Sequence, residues 1–213
     1  MKKRFVSFSE FNTYYEYGDV DYFRGYILGF RSPQNIYMKF GTTVHEALNP
    51  DSGIDVEKAI SEMILMERAK PKAAYERIMK EILANTPRCN EYEKALFIDL
   101  EEMSLFAGID GVQDNHLVEY KTGGQFWTQQ RADEHEQITH YILSWYLETE
   151  ELMPFKLISI NSNNGGVKEF ETTRTVEQLD EWTNKLMQFK KDLVEKGWWE
   201  RKSKFDDRVE LLS

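Results

Sequence analysis

Phe106-Ala107-Gly108-Ile109-Asp110-Gly111-Val112, then Gln113-Asp114-Asn115-His116, then Leu117-Val118-Glu119-Tyr120-Lys121 is the stretch on which the fold turns. Two apolar runs flank Asp114-Asn115, a pair that tolerates the left-handed backbone of a tight two-residue turn. With those residues at the turn, 113 pairs with 116, and counting back sets Asp110 opposite Glu119. Residues opposed on one sheet face have Cβ atoms about 4.5–5.5 Å apart, where like charges repel. A divalent cation between them removes that penalty. Because strand side chains alternate, Lys121 shares a face with Glu119. Carboxylate oxygens suit Mg²⁺ or Mn²⁺, and a nearby ammonium can orient a water and lower its pKa for attack on phosphorus. On the hairpin alone, a surface ribbon with solvated charges fits equally well.

Outward from this hairpin the texture is mixed. A further short apolar run at 95–100 precedes it, which predicts three strands over 95–100, 105–112 and 116–121. Upstream the pattern is helical. Ser7 or Ser9 can cap an aromatic-rich helical pair broken around Gly18, a second helix over 34–48 carries Gly41 and His45, and two more follow near 55–69 and 71–85. Downstream, residues 122–133 lack periodicity and read as a mobile loop. A helix over 134–149 comes next, then strands near 155–161 and 167–173 joined at Asn163-Asn164-Gly165-Gly166. Thr175 with Gln178 resembles a capping box, and Leu179, Trp182, Leu186, Phe189 and Leu193 form one apolar stripe behind it. The expected organisation is one domain over 1–213: a mostly helical part at 1–90, a sheet core at 91–175, and a C-terminal helix and tail at 176–213.

Composition narrows the partners. With 41% hydrophobic residues, 213 positions can bury a full core. No apolar run spans a bilayer and no signal-peptide core follows Met1-Lys2-Lys3-Arg4, so a cytoplasmic protein without a membrane role is expected. Cys89 is the only cysteine, which excludes four-cysteine iron–sulfur clusters and thiolate-rich zinc sites. The formal charge of -10 argues against a general nucleic-acid coat. A phosphodiester substrate would need a local basic channel, with Lys2, Lys3, Arg4, Arg24, Arg31, Lys39 and Arg131 as candidates and the excess acids elsewhere.

The combination of Gly108-x-Asp110 with Glu119-Tyr120-Lys121 resembles the core signature of the PD-(D/E)xK nucleases, and its surroundings are similar to the RecB-type exonuclease branch. Gly41-Thr42-Thr43-Val44-His45 matches that branch's upstream Gly-x-x-x-His motif, and Gln137-Ile138-Thr139-His140-Tyr141 its downstream Gln-x-x-x-Tyr motif. The resemblance covers about residues 7–145. It implies an α/β (α+β) fold with a restriction-endonuclease-like core, a central mixed β-sheet flanked by helices, and an N-terminal helical part. It further implies one or two Mg²⁺ or Mn²⁺ ions held by His45, Asp110, Glu119 and the Tyr120 carbonyl. Lys121 would position the attacking water, and Gln137 and Tyr141 would orient Lys121 or contact the DNA backbone. Glu93 and Glu46 compete for an additional acid and neither is assigned. Phe126 and Trp127 fit either stacking on an unpaired base or plugging the core.

Two departures from the family stand out. The first helical region reads Tyr14-Tyr15-Glu16-Tyr17-Gly18 where relatives carry a Cys-Pro pair, and no phosphate-cradling helicase loop occurs. The expected activity is therefore metal-dependent hydrolysis of DNA, single-stranded or with an accessible end, without an iron–sulfur cluster. A helicase or recombination partner would supply any strand separation. The alternatives are an endonuclease of the same fold and a catalytically silent module that binds DNA or protein.

Overall fold

The computed structural model describes residues 4–30, 32–101 and 103–201; Lys2, Lys3, Arg31 and the tail from 202 lie outside them. A three-residue strand, β1 (Phe5–Ser7), opens the chain and is too short to show a period. Ser7 then caps α1 (Phe8–Asn12) through its hydroxyl, which accepts the Glu10 N–H at 3.2 Å. The aromatic segment continues as wide π turns at Thr13–Tyr17 and Phe23–Ile27 on either side of α2 (Gly18–Tyr22). Next come α3 (Ile36–Leu48), α4 (Val56–Met63) and α5 (Lys72–Asn85), the first two capped by Asn35 and Asp55.

The sheet follows as β2 (Glu91–Asp99), β3 (Ser104–Gln113) and β4 (His116–Gly123). Residues 122–133 are not the aperiodic loop expected. β4 runs on through Gly123, and Thr128 caps a short helix, α6 (Gln129–Glu134), accepting the Arg131 N–H at 3.2 Å. Buried Arg174 holds that segment by donating to the Ala132 and His135 carbonyls. Then come α7 (Glu136–Thr149), β5 (Phe155–Asn161), β6 (Val167–Thr172) and α8 (Val176–Glu195). The Thr175–Gln178 capping box closes in both directions, and all five residues of the α8 stripe are buried.

Six strands form one mixed sheet, ordered β1-β3-β4-β5-β6 with β2 on β3. β1 with β3 and β4 with β5 run parallel; the other pairs are antiparallel. One core, with Phe11 of α1, Ile142 of α7 and Trp182 of α8, covers one sheet face. The other, with Val44 of α3, Ile60 of α4 and Ile78 of α5, covers the opposite face. β4 alternates between them, with Leu117 in the first and Val118 and Tyr120 in the second. Glu119 and Lys121 therefore project toward α7.

Arg4, expected to face a nucleic-acid channel, is buried instead. It donates to Glu10, to the Tyr22 hydroxyl, and to the carbonyls of Trp198, Trp199 and Arg201 at 2.9, 2.9 and 3.1 Å. A guanidinium this dry keeps its charge only because Glu10 neutralises it. Among the described residues no helix is long and apolar enough to cross a membrane.

Candidate active site

The hairpin turns where its sequence predicts. Asp114 and Asn115 both hold positive φ, 45° and 62°, as a type I′ turn requires. The ladder follows the expected count, Gln113↔His116, Val112↔Leu117 and Gly111↔Val118, and then stops one residue short of Asp110 and Glu119. β1 and β4 share one edge of β3, β1 along 104–106 and β4 along 111–113, and between them that edge is open. Asp110 sits at this gap. Its Oδ2 accepts the Tyr120 N–H at 2.7 Å, so a side chain replaces the missing rung. Extended backbone turns a residue's N–H and C=O to the same neighbour, so the Tyr120 carbonyl also faces the gap.

Gly111 is obligatory for this bend. A Cβ there would lie 2.5 Å from both Cys89 Sγ and the Glu91 carbonyl. Gly41 plays the corresponding part on α3, where a Cβ would lie 3.0 Å from Thr122 Oγ1. Helix and strand approach closely there, and one turn later His45 reaches the gap from the second face. Its Nδ1 lies 3.4 Å from Asp110 Oδ2. Burial opposes charge on the imidazole, but Asp110, aided by Glu119, holds its pKa above the usual value.

The first face supplies the rest. Lys121 Nζ donates to Glu119 Oε1 at 2.5 Å and to Gln137 Oε1 at 2.7 Å. With its oxygen committed, the Gln137 amide must donate through Nε2, and it does so to the Tyr141 hydroxyl at 2.7 Å. Burial holds the Tyr141 phenol well above its ordinary pKa, so it stays neutral. Glu119 is buried, and its Oε2 has no hydrogen-bond partner. Burial first, then Asp110, pushes its pKa up to about 7, against the pull of Lys121 and His45.

His45 and Asp110, and separately Glu119, Lys121, Gln137 and Tyr141, are thus joined by direct contacts, and electrostatic coupling links the two groups. Among the described residues, no three His, Cys, Asp or Glu side chains converge as a ready-made cation cage. Other sequence candidates fall elsewhere. Glu93 is exposed, at φ 52°, and Glu46 is half-buried, its carbonyl accepting from the Ser52 hydroxyl at 2.6 Å. Trp127 is wedged between His135, with ring centroids 4.8 Å apart, and the Arg131 guanidinium at 3.9 Å. That is the plug arrangement rather than an open stacking face. Of the basic candidates, Lys39 is paired with Glu62 at 2.9 Å, whereas Arg24 and Arg131 are exposed. Two cations that sequence reasoning missed, Arg68 and Lys70, line a cleft against Thr122, Gly123 and Gly124. They follow α4 with no periodic signal, and only the fold carries them to the end of β4.

No protein-family model matches the chain, and no curated protein matches it. The chain is similar to the crystal structure of a "Putative exonuclease" from Eubacterium rectale, with a TM-score of 0.64 and 14% identity. The match covers 96% of this chain and 86% of that one. The mixed sheet flanked by helices, with a helical N-terminal part, is thus a fold that this chain shares with that protein.

Proposed function

We propose that this chain is a metal-dependent DNA nuclease of the PD-(D/E)xK type, on the RecB-like exonuclease branch and without an iron–sulfur cluster. One observation supports this best: residues from three separated motifs gather in two contact groups beside the opening between β3 and β4. His45 comes from α3, Asp110 from β3, Glu119 and Lys121 from β4, and Gln137 from α7.

The donor set suits Mg²⁺ or Mn²⁺. Asp110 and the unpartnered Glu119 Oε2 offer hard oxygens, and His45 and the Tyr120 carbonyl complete the ligands. A bound ion supplies neutralisation of phosphoryl charge and acidification of water. The chain's own part is orientation. Two of the three Lys121 donors are held by Glu119 and Gln137, which fixes the ammonium and leaves the third to hold the attacking water. The Gln137–Tyr141 pair fixes the lysine in turn, and a neutral Tyr141 cannot accept its proton. The proposed substrate is DNA with an accessible end, delivered where necessary by a helicase or recombination partner.

The deciding assay incubates the protein with linear and circular DNA, single- and double-stranded, in Mn²⁺ or EDTA. Shortening of linear DNA in Mn²⁺ alone, with circles intact, is the expected result. Cutting of circles would assign an endonuclease, and intact DNA in every arm would refute the reading.

A further inference from the structure

A cleft of about 340 Å³ opens at the C-terminal ends of β4 and β5, between them and the start of α3. Thr122, Gly123 and Gly124 form one wall and Tyr37, Arg68 and Lys70 the other. A strand rises about 3.3 Å per residue, so Gly123 lies about 7 Å along β4 from Lys121, whose side chain projects from the other sheet face. The chain carries 37 acidic residues against 27 basic, yet no carboxylate lines this cleft. Tyr37 is 65% exposed, an open ring face beside two cations. Arg68 holds a left-handed backbone at φ 63° in the exposed turn after α4. Lys70 is anchored at the cleft, donating to the Ser162 carbonyl and Asn163 Oδ1 at 2.8 Å each, which uses two of its three donors. Beside the cleft, a second hollow shares Tyr37 and Arg68 and is lined also by Glu67, whose Oε1 lies 3.7 Å from Arg68 Nε, an exposed pair that a phosphate would displace.

We propose that this cleft binds one unpaired nucleotide of the substrate strand, its base stacked on Tyr37 and its phosphate met by Arg68 and Lys70. The inference rests on the nuclease reading and narrows its substrate to single-stranded DNA. A cleft of this size lies at the small end of ligand pockets, with room for one nucleotide. Aromatic stacking accepts any base, so the subsite selects strandedness and not sequence. Cations beside the ring give the binding a salt dependence.

The test measures fluorescence anisotropy of a labelled oligothymidylate and of a labelled duplex, with Ca²⁺ replacing the catalytic ion, alongside cleavage in Mn²⁺. Tyr37→Ala is expected to weaken oligothymidylate binding roughly tenfold and leave duplex binding unchanged, with Tyr37→Trp restoring it. Arg68→Ser is expected to lower the slope of log affinity against log salt by about one. Both side chains are largely exposed, so these variants keep the fold. If wild type cleaves DNA while Tyr37→Ala and Arg68→Ser bind and cut single strands like wild type, the subsite is refuted and the nuclease stands. If wild type binds oligothymidylate through Tyr37 yet cuts nothing, the subsite stands and the nuclease reading falls. Absence of any binding refutes the subsite whatever the cleavage result.

Discussion

Glu119→Gln isolates the electrostatics of the opening between β3 and β4. Glu119 is 5% exposed, and burial with Asp110 nearby raises its pKa to about 7 from an ordinary 4.5. A carboxyl whose folded pKa is raised binds more protons in the folded state between those two values, so the metal-free protein loses stability as pH rises through that window. The full difference is on the order of 3 kcal/mol, of which about 2 falls between about pH 5 and pH 7.5. Glutamine keeps the shape and cannot ionise, so wild type should weaken relative to Glu119→Gln by that amount. Urea unfolding in EDTA at the two pH values measures it. Comparing the two proteins cancels titrations that Glu119 does not influence, including that of buried His140, while His45, whose charge Glu119 supports, shifts with it. Saturating Mn²⁺ should reverse the order, because an ion that binds only the folded wild type stabilises it by mass action. A stability difference that does not change with pH would refute the buried-carboxylate reasoning, and a Mn²⁺ effect equal in both proteins would remove Glu119 from the ligand set.

Lys121→Met should lower hydrolysis by about 10²–10⁴-fold while Mn²⁺ binding and the unfolding midpoint in Mn²⁺ stay near wild type, since the ammonium orients water and does not hold the ion; titration calorimetry beside the cleavage assay checks both. Gly111→Ala should lose about 1–3 kcal/mol in urea unfolding, because the new methyl would overlap Cys89 Sγ and the Glu91 carbonyl. His140 is fully buried, with Nε2 donating to the Phe106 carbonyl and Nδ1 accepting from Trp182, and burial lowers its pKa to about 4. A depressed histidine is unprotonated in the folded state where the unfolded chain is charged, so wild type should lose about 3 kcal/mol as pH falls from about 6.5 to 4. His140→Asn should lack that slope. Arg4→Met strands the Glu10 charge in a dry site and should lower stability by about 3–5 kcal/mol, read from the urea midpoint.

Local chemistry made much of the scaffold legible in advance. Asp114-Asn115 set the hairpin register because few residue pairs tolerate two consecutive positive φ values, and Thr175 with Gln178 marked the start of α8. The amphipathic stripe of α8 and the Gly41-to-His45 spacing were visible for the same reason: each is written within one or two turns of chain. What escaped depends on contacts between distant segments. β1 exists because β3 offers it an open edge, and the chain order around 122–133 is set by Arg174 reaching back from beyond β6. Arg4 looked like a surface cation because three of its five partners lie more than 190 residues away. Tyr37, Arg68 and Lys70 could not be joined to Thr122, Gly123 and Gly124 by spacing, since the fold alone places them together.

That Arg4 cluster also sets a constraint on biosynthesis. The guanidinium can donate to Glu10 and Tyr22 early, but three of its acceptors are carbonyls at 198, 199 and 201. During vectorial synthesis, β1 can therefore dock on β3 long before the lid over Arg4 exists, and the first core stays wet at that corner until the segment around Trp198 emerges. Productive closure, and with it a rigid arrangement of α1 and α8 around α7, is thus delayed until that segment has been synthesised. A chain stopped before Trp198 would carry every residue of the proposed site and still lack the clasp that holds its framework shut.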